Sequence, residues 1–280
     1  MDIKINYYCK VGSLSEYKII MKNHYISPKG SIIKEQVLSA DYHKKISSGL
    51  TPKSAKIIYT WDKVKYTSNN WHNEQVDTEW IFAKKRNFSN IKIYPEAVVT
   101  DMEQNEPDEG NLGIDYSDLI STPSVNLLYM LSWDVIGLEE IASFLVKDMN
   151  RYEETGSFIS IDTISGTNAH MGFHGCEEKS FFKNGNFEAA YVGTGNWKEC
   201  IGIWIEYRCI GRLESFNSNH KGNAKVQMAS SCYFGKVLID VENGNLLKGD
   251  MIELISGVIK TKNDKLVPQQ KRRFVYMEMM

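Results

Sequence analysis

The chain has few cysteines, no long uncharged apolar run and almost no excess charge of either sign, and each shortage excludes something. Its five cysteines, Cys9, Cys176, Cys200, Cys209 and Cys232, are odd in number, widely spaced and contain no CxxC pair. The disulfide framework of a small secreted domain is therefore excluded, and reduced, mostly buried thiols are expected. The opening MDIKINYYCKVGSL carries Asp2 and Lys4 and no apolar stretch of the kind a secretory signal needs, which points to the cytoplasm. The most apolar segment, residues 125–146, holds Asp134, Glu139 and Glu140; three central acids are too costly for a bilayer span, so no transmembrane segment is expected. A formal net charge of −2 argues against a nucleic-acid partner.

What is present is an ordinary globular composition, 42% hydrophobic and 24% charged over 280 residues, enough for a sizeable core. The charge is unevenly distributed. Residues 1–92 carry 16 Lys/Arg against 8 Asp/Glu, whereas residues 93–146 carry 11 acids and no base. Such a block is a solvated acidic loop or a dock for a basic partner.

Alternation with period two dominates the first hundred residues, the mark of half-buried strands. SEYKIIMKNHYI and GSIIKEQVLSA flank SPKG, a turn that makes them a hairpin or meander corner. AKIIYTWDKVKYT, DTEWIFAKK and NIKIYPEAVV continue the pattern. From Asp101 to Pro123 it dissolves into acids, Pro, Gly and Ser, which is loop chemistry. A helix is expected next: Ser124 can cap it, and Leu127, Leu131, Val135, Leu138, Ala142 and Leu145 recur at three- and four-residue spacing. Afterwards the strand pattern returns, with VGTGNWKEC, HKGN and ENGN at the turns, the last suggesting a type I′ hairpin. The expected class is α+β and β-rich: large twisted antiparallel sheets or an open barrel-like sheet, with one long helix over about 125–148 packed on them. Residues 1–100 form an N-terminal β region, 101–123 an acidic loop, 124–152 the helical segment and 153–280 a C-terminal β region.

Candidate chemistry is sparse. SGTNAHMGFHGC (165–176) places His170, His174 and Cys176 within reach of one another, a set that can ligate zinc with a fourth ligand from elsewhere. With Glu177 or Glu178 as base, these residues would make a metal-assisted hydrolase. Gly172 and Gly175 instead favour a turn with polar side chains, and no HExxH motif or G-x-S-x-G elbow is present. The glycines of VGTGNWKEC match neither phosphate-binding spacing. Tyr59, Trp61, Tyr66, Trp71, Trp80 and Phe82 interleave with basic residues, a pattern single-stranded nucleic acid uses, but a large sheet accounts for them as core and edge aromatics. The sequence thus points to a binding protein rather than an enzyme. A curved sheet with one apolar face would take a small hydrophobic ligand or a partner segment, with Trp61, Trp80, Trp204 and Tyr207 as candidate contacts, gated by the 101–123 loop and needing no cofactor. The alternatives are the zinc hydrolase and an interaction module built on the acidic segment 101–118.

Overall fold

The computed structural model describes residues 12–47, 56–68, 82–84, 91–94, 97–100, ten positions from Leu127 to Leu145, 154–162, 165–166, 168–169, 181–215, 225–260 and 265–280. Strands appear wherever the alternation was strong. In chain order they are β1 (Leu14–Ile26), β2 (Ile32–Ser47), β3 (Lys56–Ser68), the short β4 (Phe82–Lys84), β5 (Ile91–Tyr94), β6 (Ala97–Thr100), β7 (Ile159–Ser160), β8 (Asn168–Ala169) and β9 (Phe181–Lys183). The long C-terminal strands follow: β10 (Asn186–Trp197), β11 (Cys200–Ser215), β12 (Lys225–Asp240), β13 (Leu246–Lys260) and β14 (Leu266–Met279).

Twelve of these strands form one antiparallel sheet along the path β4-β3-β2-β1-β14-β13-β12-β11-β10-β7, with β9 also on β11 and β8 on β9. Nearly every neighbour in it is a sequential hairpin or meander step. Besides the short pairings of β7 on β10 and β9 on β11, the exception is β1 on β14, which joins N- and C-terminal strands over ten consecutive residue pairs, from Tyr17 opposite Met279 to Ile26 opposite Gln270. The N- and C-terminal β regions therefore share one sheet.

The α+β expectation does not hold. Among the described residues nearly all secondary structure is strand, with no helix as long as seven residues, against one expected to run from 125 to 148. The apolar stripe itself is used: Leu127, Leu131, Val135, Leu138, Ala142 and Leu145 all adopt helical geometry and are buried in the core. A stripe at helical spacing needs only that one set of side chains touch the sheet. Most of the positions between these residues lie outside the described ones, so the class is decided by the strands that surround the stripe.

Two turns show how local chemistry sets the hairpins. At SPKG, Gly30 adopts φ +85° and its N–H donates to the Ser27 carbonyl at 2.8 Å, closing β1 onto β2. At ENGN the hairpin between β12 and β13 forms, but the turn is longer than the two-residue I′ type. Asp240 and Asn245 are bridged by a 2.9 Å backbone hydrogen bond, and Gly244 adopts φ +71° while Asn243 stays out of the left-handed region. Side chains complete the loop: Asp240 Oδ1 accepts from Glu242 N and Asn243 Oδ1 from Asn245 N.

Alternation assigns one face of the sheet to the interior. Tyr17, Ile19, Met21 and Asn23 of β1, Gln36, Leu38, Ala40 and Tyr42 of β2, and Arg273, Val275 and Met277 of β14 are all buried, while the residues between them are not. The same holds for Ile203, Ile205, Tyr207 and Cys209 of β11. A flat sheet with this ten-strand path, β8 and β9 lying off it, would be roughly 43 Å wide at the usual interstrand spacing of about 4.8 Å. Yet buried side chains from β1, β2, β3 and β10 to β14, together with the 127–145 segment, form a single cluster. These strands therefore share one buried inner face, and among the described residues the end strands β4 and β7 do not pair with each other.

Candidate functional site

The inner face carries three kinds of surface, and strand register shows how they lie. Across β1, β2 and β3 runs an aromatic group: the rings of Tyr17 and Tyr42 stack at 4.8 Å, and Trp61 packs on Tyr42 at 5.3 Å. Across β10, β11 and β12 runs a second, in which Phe187 and Tyr207 stack at 6.0 Å and Tyr233 lies 6.3 Å from each. Between them Met21, Leu38, Val275, Met277, Met251 and Leu246 form an apolar floor. Methionine is unbranched and polarizable, so such a floor adapts its shape to whatever covers it.

The third surface is a polar row one strand-step further along. Ser68 of β3 lies opposite Gln36, Gln36 opposite Asn23, Asn23 opposite Arg273, and Arg273 opposite Glu253. Five strands thus present polar side chains at one level of a face that is otherwise apolar. At its β13 end the row is closed by ion pairs. Glu253 accepts from Arg212 Nη1 at 2.9 Å and from Arg273 Nη2 at 2.7 Å, and Arg273 Nη2 also reaches Asp134 Oδ1 at 2.9 Å. The two carboxylates respond differently. Burial alone would raise Glu253, but the two guanidiniums more than offset it and hold it below its ordinary value. Asp134 shares only one of them, and burial prevails, pushing it up to about 6.

At its β3 end the row is unpaired. Asn23 is fully buried, and neither its Nδ2 nor its Oδ1 has a hydrogen-bond partner among the described residues. Gln36 donates from Nε2 to the Tyr66 hydroxyl at 3.1 Å, leaving Oε1 unmatched, and Ser68 Oγ is unmatched as well. Buried polar groups are nearly always satisfied, so a run of adjacent exceptions marks a functional candidate.

The segment from Leu127 to Leu145 covers part of this face. Leu138 approaches Gly249 of β13: a Cβ built there would lie 3.5 Å from Leu138 Cδ1. Glu139 clasps β2, accepting from the Tyr42 hydroxyl at 2.6 Å and pairing with Lys44 Nζ at 3.2 Å. Asp134 fastens the same segment to β14 through Arg273.

Of the candidate contacts, Trp61 and Tyr207 lie on the inner face. Trp61 is buried with its indole N–H unmatched among the described residues, and Tyr207 donates to the Asp250 carbonyl at 2.7 Å. Burial, followed by the nearby Asp250 charge, raises the Tyr207 phenol well above its ordinary value, so it stays a neutral donor. Trp204 faces the other way, between the inward Ile203 and Ile205, and packs over Gly195, where a Cβ would meet its indole nitrogen at 2.7 Å. Trp80 lies outside the described residues, as do His170, His174, Cys176, Glu177, Glu178 and the acidic segment 101–123. Among the described residues no group of three His, Cys, Asp or Glu side chains is placed to hold a metal, and no helix is long and apolar enough to cross a membrane. Cys200, Cys209 and Cys232 are free thiols; burial raises Cys209 and Cys200 above their ordinary values, which makes them poor nucleophiles.

The polar row was absent from the candidates drawn from sequence, although a signal existed. Asn23 shares the parity of Ile19 and Met21, Gln36 that of Leu38, Glu253 that of Met251, and Arg273 that of Val275. A polar residue at an inward position of a strand is the informative exception.

No protein-family model matches the chain, and no curated protein matches it in sequence. Among solved structures, one titled for lipid-protein interactions in lipovitellin aligns over 97% of this chain and 25% of its own length, at 9% identity and a TM-score of 0.40. The chain thus spans about a quarter of that protein. An outer membrane channel from Pseudomonas putida F1 aligns over the full length of both chains at 6% identity and a TM-score of 0.20.

Proposed function

We propose that the chain is a non-enzymatic binding protein whose sheet holds a small, largely apolar molecule on its inner face. The observation that carries this reading is the composition of that face: two aromatic groups flanking a floor of Met21, Met251, Met277, Leu38 and Val275, bordered by polar side chains that are buried and unmatched. Ligand sites have this make-up, mostly apolar with a few placed polar groups. The 127–145 segment lies on the same face, held by two polar clasps in addition to its leucines, so it sits where it can line or cover a bound molecule. Trp61 and Tyr207 are the aromatic contacts of this reading.

The test is a titration with the environment-sensitive dye N-phenyl-1-naphthylamine, followed by displacement with methyl oleate and photolabelling with a diazirine-bearing fatty acid methyl ester. Saturable dye binding, displaced by methyl oleate, with label on Met21, Met251 or Met277, is expected. Absence of saturable binding, or label confined to outward residues such as Phe234 and Leu254, overturns the reading.

A further inference from the structure

We propose that Asn23, Gln36 and Ser68 form a subsite for the hydroxyl-bearing, uncharged head of an amphipathic ligand, a molecule of the monoacylglycerol or glycolipid class. This rests on the reading of the inner face as a ligand site and names the chemistry of the ligand's polar end.

Geometry comes first. Side chains directly opposite on adjacent antiparallel strands stand about 5 Å apart, so the Ser68–Gln36–Asn23 strip is about 10 Å long, the span of a glycerol or single-sugar head. One inward step along β1 and β2 leads to Met21 and Leu38, the start of the apolar floor. One step the other way leads to Tyr25, which is only half-buried and is approached by Lys34 Nζ at 5.4 Å and Lys271 Nζ at 5.6 Å. The strip therefore lies just inside the rim of the face, with apolar surface on its inner side. A head group placed there would direct its chain over the methionines.

Hydrogen-bonding capacity decides the class of head. Asn23 offers one unmatched donor group and one unmatched acceptor, and the Ser68 hydroxyl can act as either. Gln36 adds an acceptor or a donor according to which way its amide is seated against Tyr66. Such a mixed set is met by hydroxyls, which both give and accept. A carboxylate only accepts and would face amide oxygens. The cations that could reward an anion are engaged next door: Arg273 serves Asp134 and Glu253, and Arg212 serves Glu253. The row is thus divided into a self-neutralised ionic end and a neutral, unmatched end.

The experiment compares three molecules of equal chain length as competitors of bound N-phenyl-1-naphthylamine: monoolein, methyl oleate and, at pH 8, oleate. Monoolein is expected to displace the dye at a concentration at least tenfold lower than the other two. In Asn23→Leu, which replaces an unmatched amide by an apolar group of similar size, and Gln36→Leu, which also gives up the bond to Tyr66, the advantage of monoolein should shrink towards unity while methyl oleate affinity is kept, with the thermal midpoint unchanged in Asn23→Leu. Equal affinities in the wild type, or an advantage unchanged in both variants, overturns the subsite and leaves the binding reading standing; tighter oleate than monoolein overturns it in favour of an anionic head. If one variant loses its fold, the other decides. No dye binding at all overturns the subsite together with the reading it rests on.

Discussion

Arg273 is shared by two carboxylates, and the sharing is uneven enough to be measured. Glu253 has a second guanidinium in Arg212 and is held ionised. Asp134 is paired directly with Arg273 and sits at about 6, above its ordinary 3.8, because desolvation, helped by the neighbouring Glu253 charge, outweighs Arg273 and the weaker pull of Lys271 and Arg212. The sign follows from linkage. A carboxyl whose folded value is raised binds its proton more tightly in the folded state, so its stabilising contribution is complete below about 3.8 and is lost as pH rises through about 6. The shift corresponds to about 3 kcal/mol over that window. Glu253 acts in the opposite sense, stabilising above its ordinary value and losing that contribution as pH falls. Asp134→Asn removes only the first term and keeps an acceptor for Arg273. The difference in unfolding free energy between wild type and Asp134→Asn, taken from urea melts at pH steps from 4 to 7.5, should therefore decline with rising pH and level off above 6.5. A flat or rising difference would show that the Arg273 pairing outweighs burial at Asp134.

The elements differ in how far the sequence revealed them, and the reason is how local their determinants are. Strands β1, β2 and β10 to β13 could be read because period two is imposed by one buried face and shows in every short window. Turns could be read where glycine was needed at positive φ, as at Gly30 and Gly244, though the ENGN loop took a longer form because Asp240 and Asn243 supply side-chain acceptors within it. The class was misjudged because a stripe of leucines reports which side chains face the core, and among the described residues the sheet provides nearly all the secondary structure around them. The polar row was missed because its members are distant in sequence and meet only through register, which single windows do not contain. Register also makes a prediction about two glycines of the same hairpin. Gly244→Ala forces a left-handed φ on alanine and should cost about 1 kcal/mol. Gly235 has no such conformation, but a Cβ there would lie 2.0 Å from the Asp250 carbonyl oxygen of β13, so Gly235→Ala must push two strands apart and should cost about 3 kcal/mol. Urea denaturation of the two variants orders them; the reverse order would mean that the close approach of β12 and β13 relaxes freely.

At the scale of the whole molecule, one pairing joins the N- and C-terminal strands into the twelve-stranded sheet. Every other long-strand neighbour follows from a hairpin or meander, whereas β1 on β14 closes a loop of more than two hundred residues and brings Asn23 beside Arg273 and Met21 beside Val275. Without it the apolar floor would be split between two half-sheets, each with an exposed edge of unmatched backbone groups. The cost of closing so long a loop grows only slowly with its length, so the inward side chains of the two strands can meet it by burial. Val275 is among the most interior of these, 1% exposed and between Met21 of β1 and Met251 of β13. An aspartate there would be a buried charge with apolar neighbours on both flanking strands, and Val275→Asp should unfold the protein or cost at least about 4 kcal/mol. Ile20 lies next to Met21 in β1 and opposite Tyr276, but it points outward and is 39% exposed. Ile20→Asp should cost no more than about 1 kcal/mol and leave dye binding intact. Circular dichroism melts of the two variants, with N-phenyl-1-naphthylamine titrations of whichever folds, test the arrangement directly. Equal tolerance at both positions would mean that β14 does not present Val275 to a common interior, and the shared inner face would fall with it.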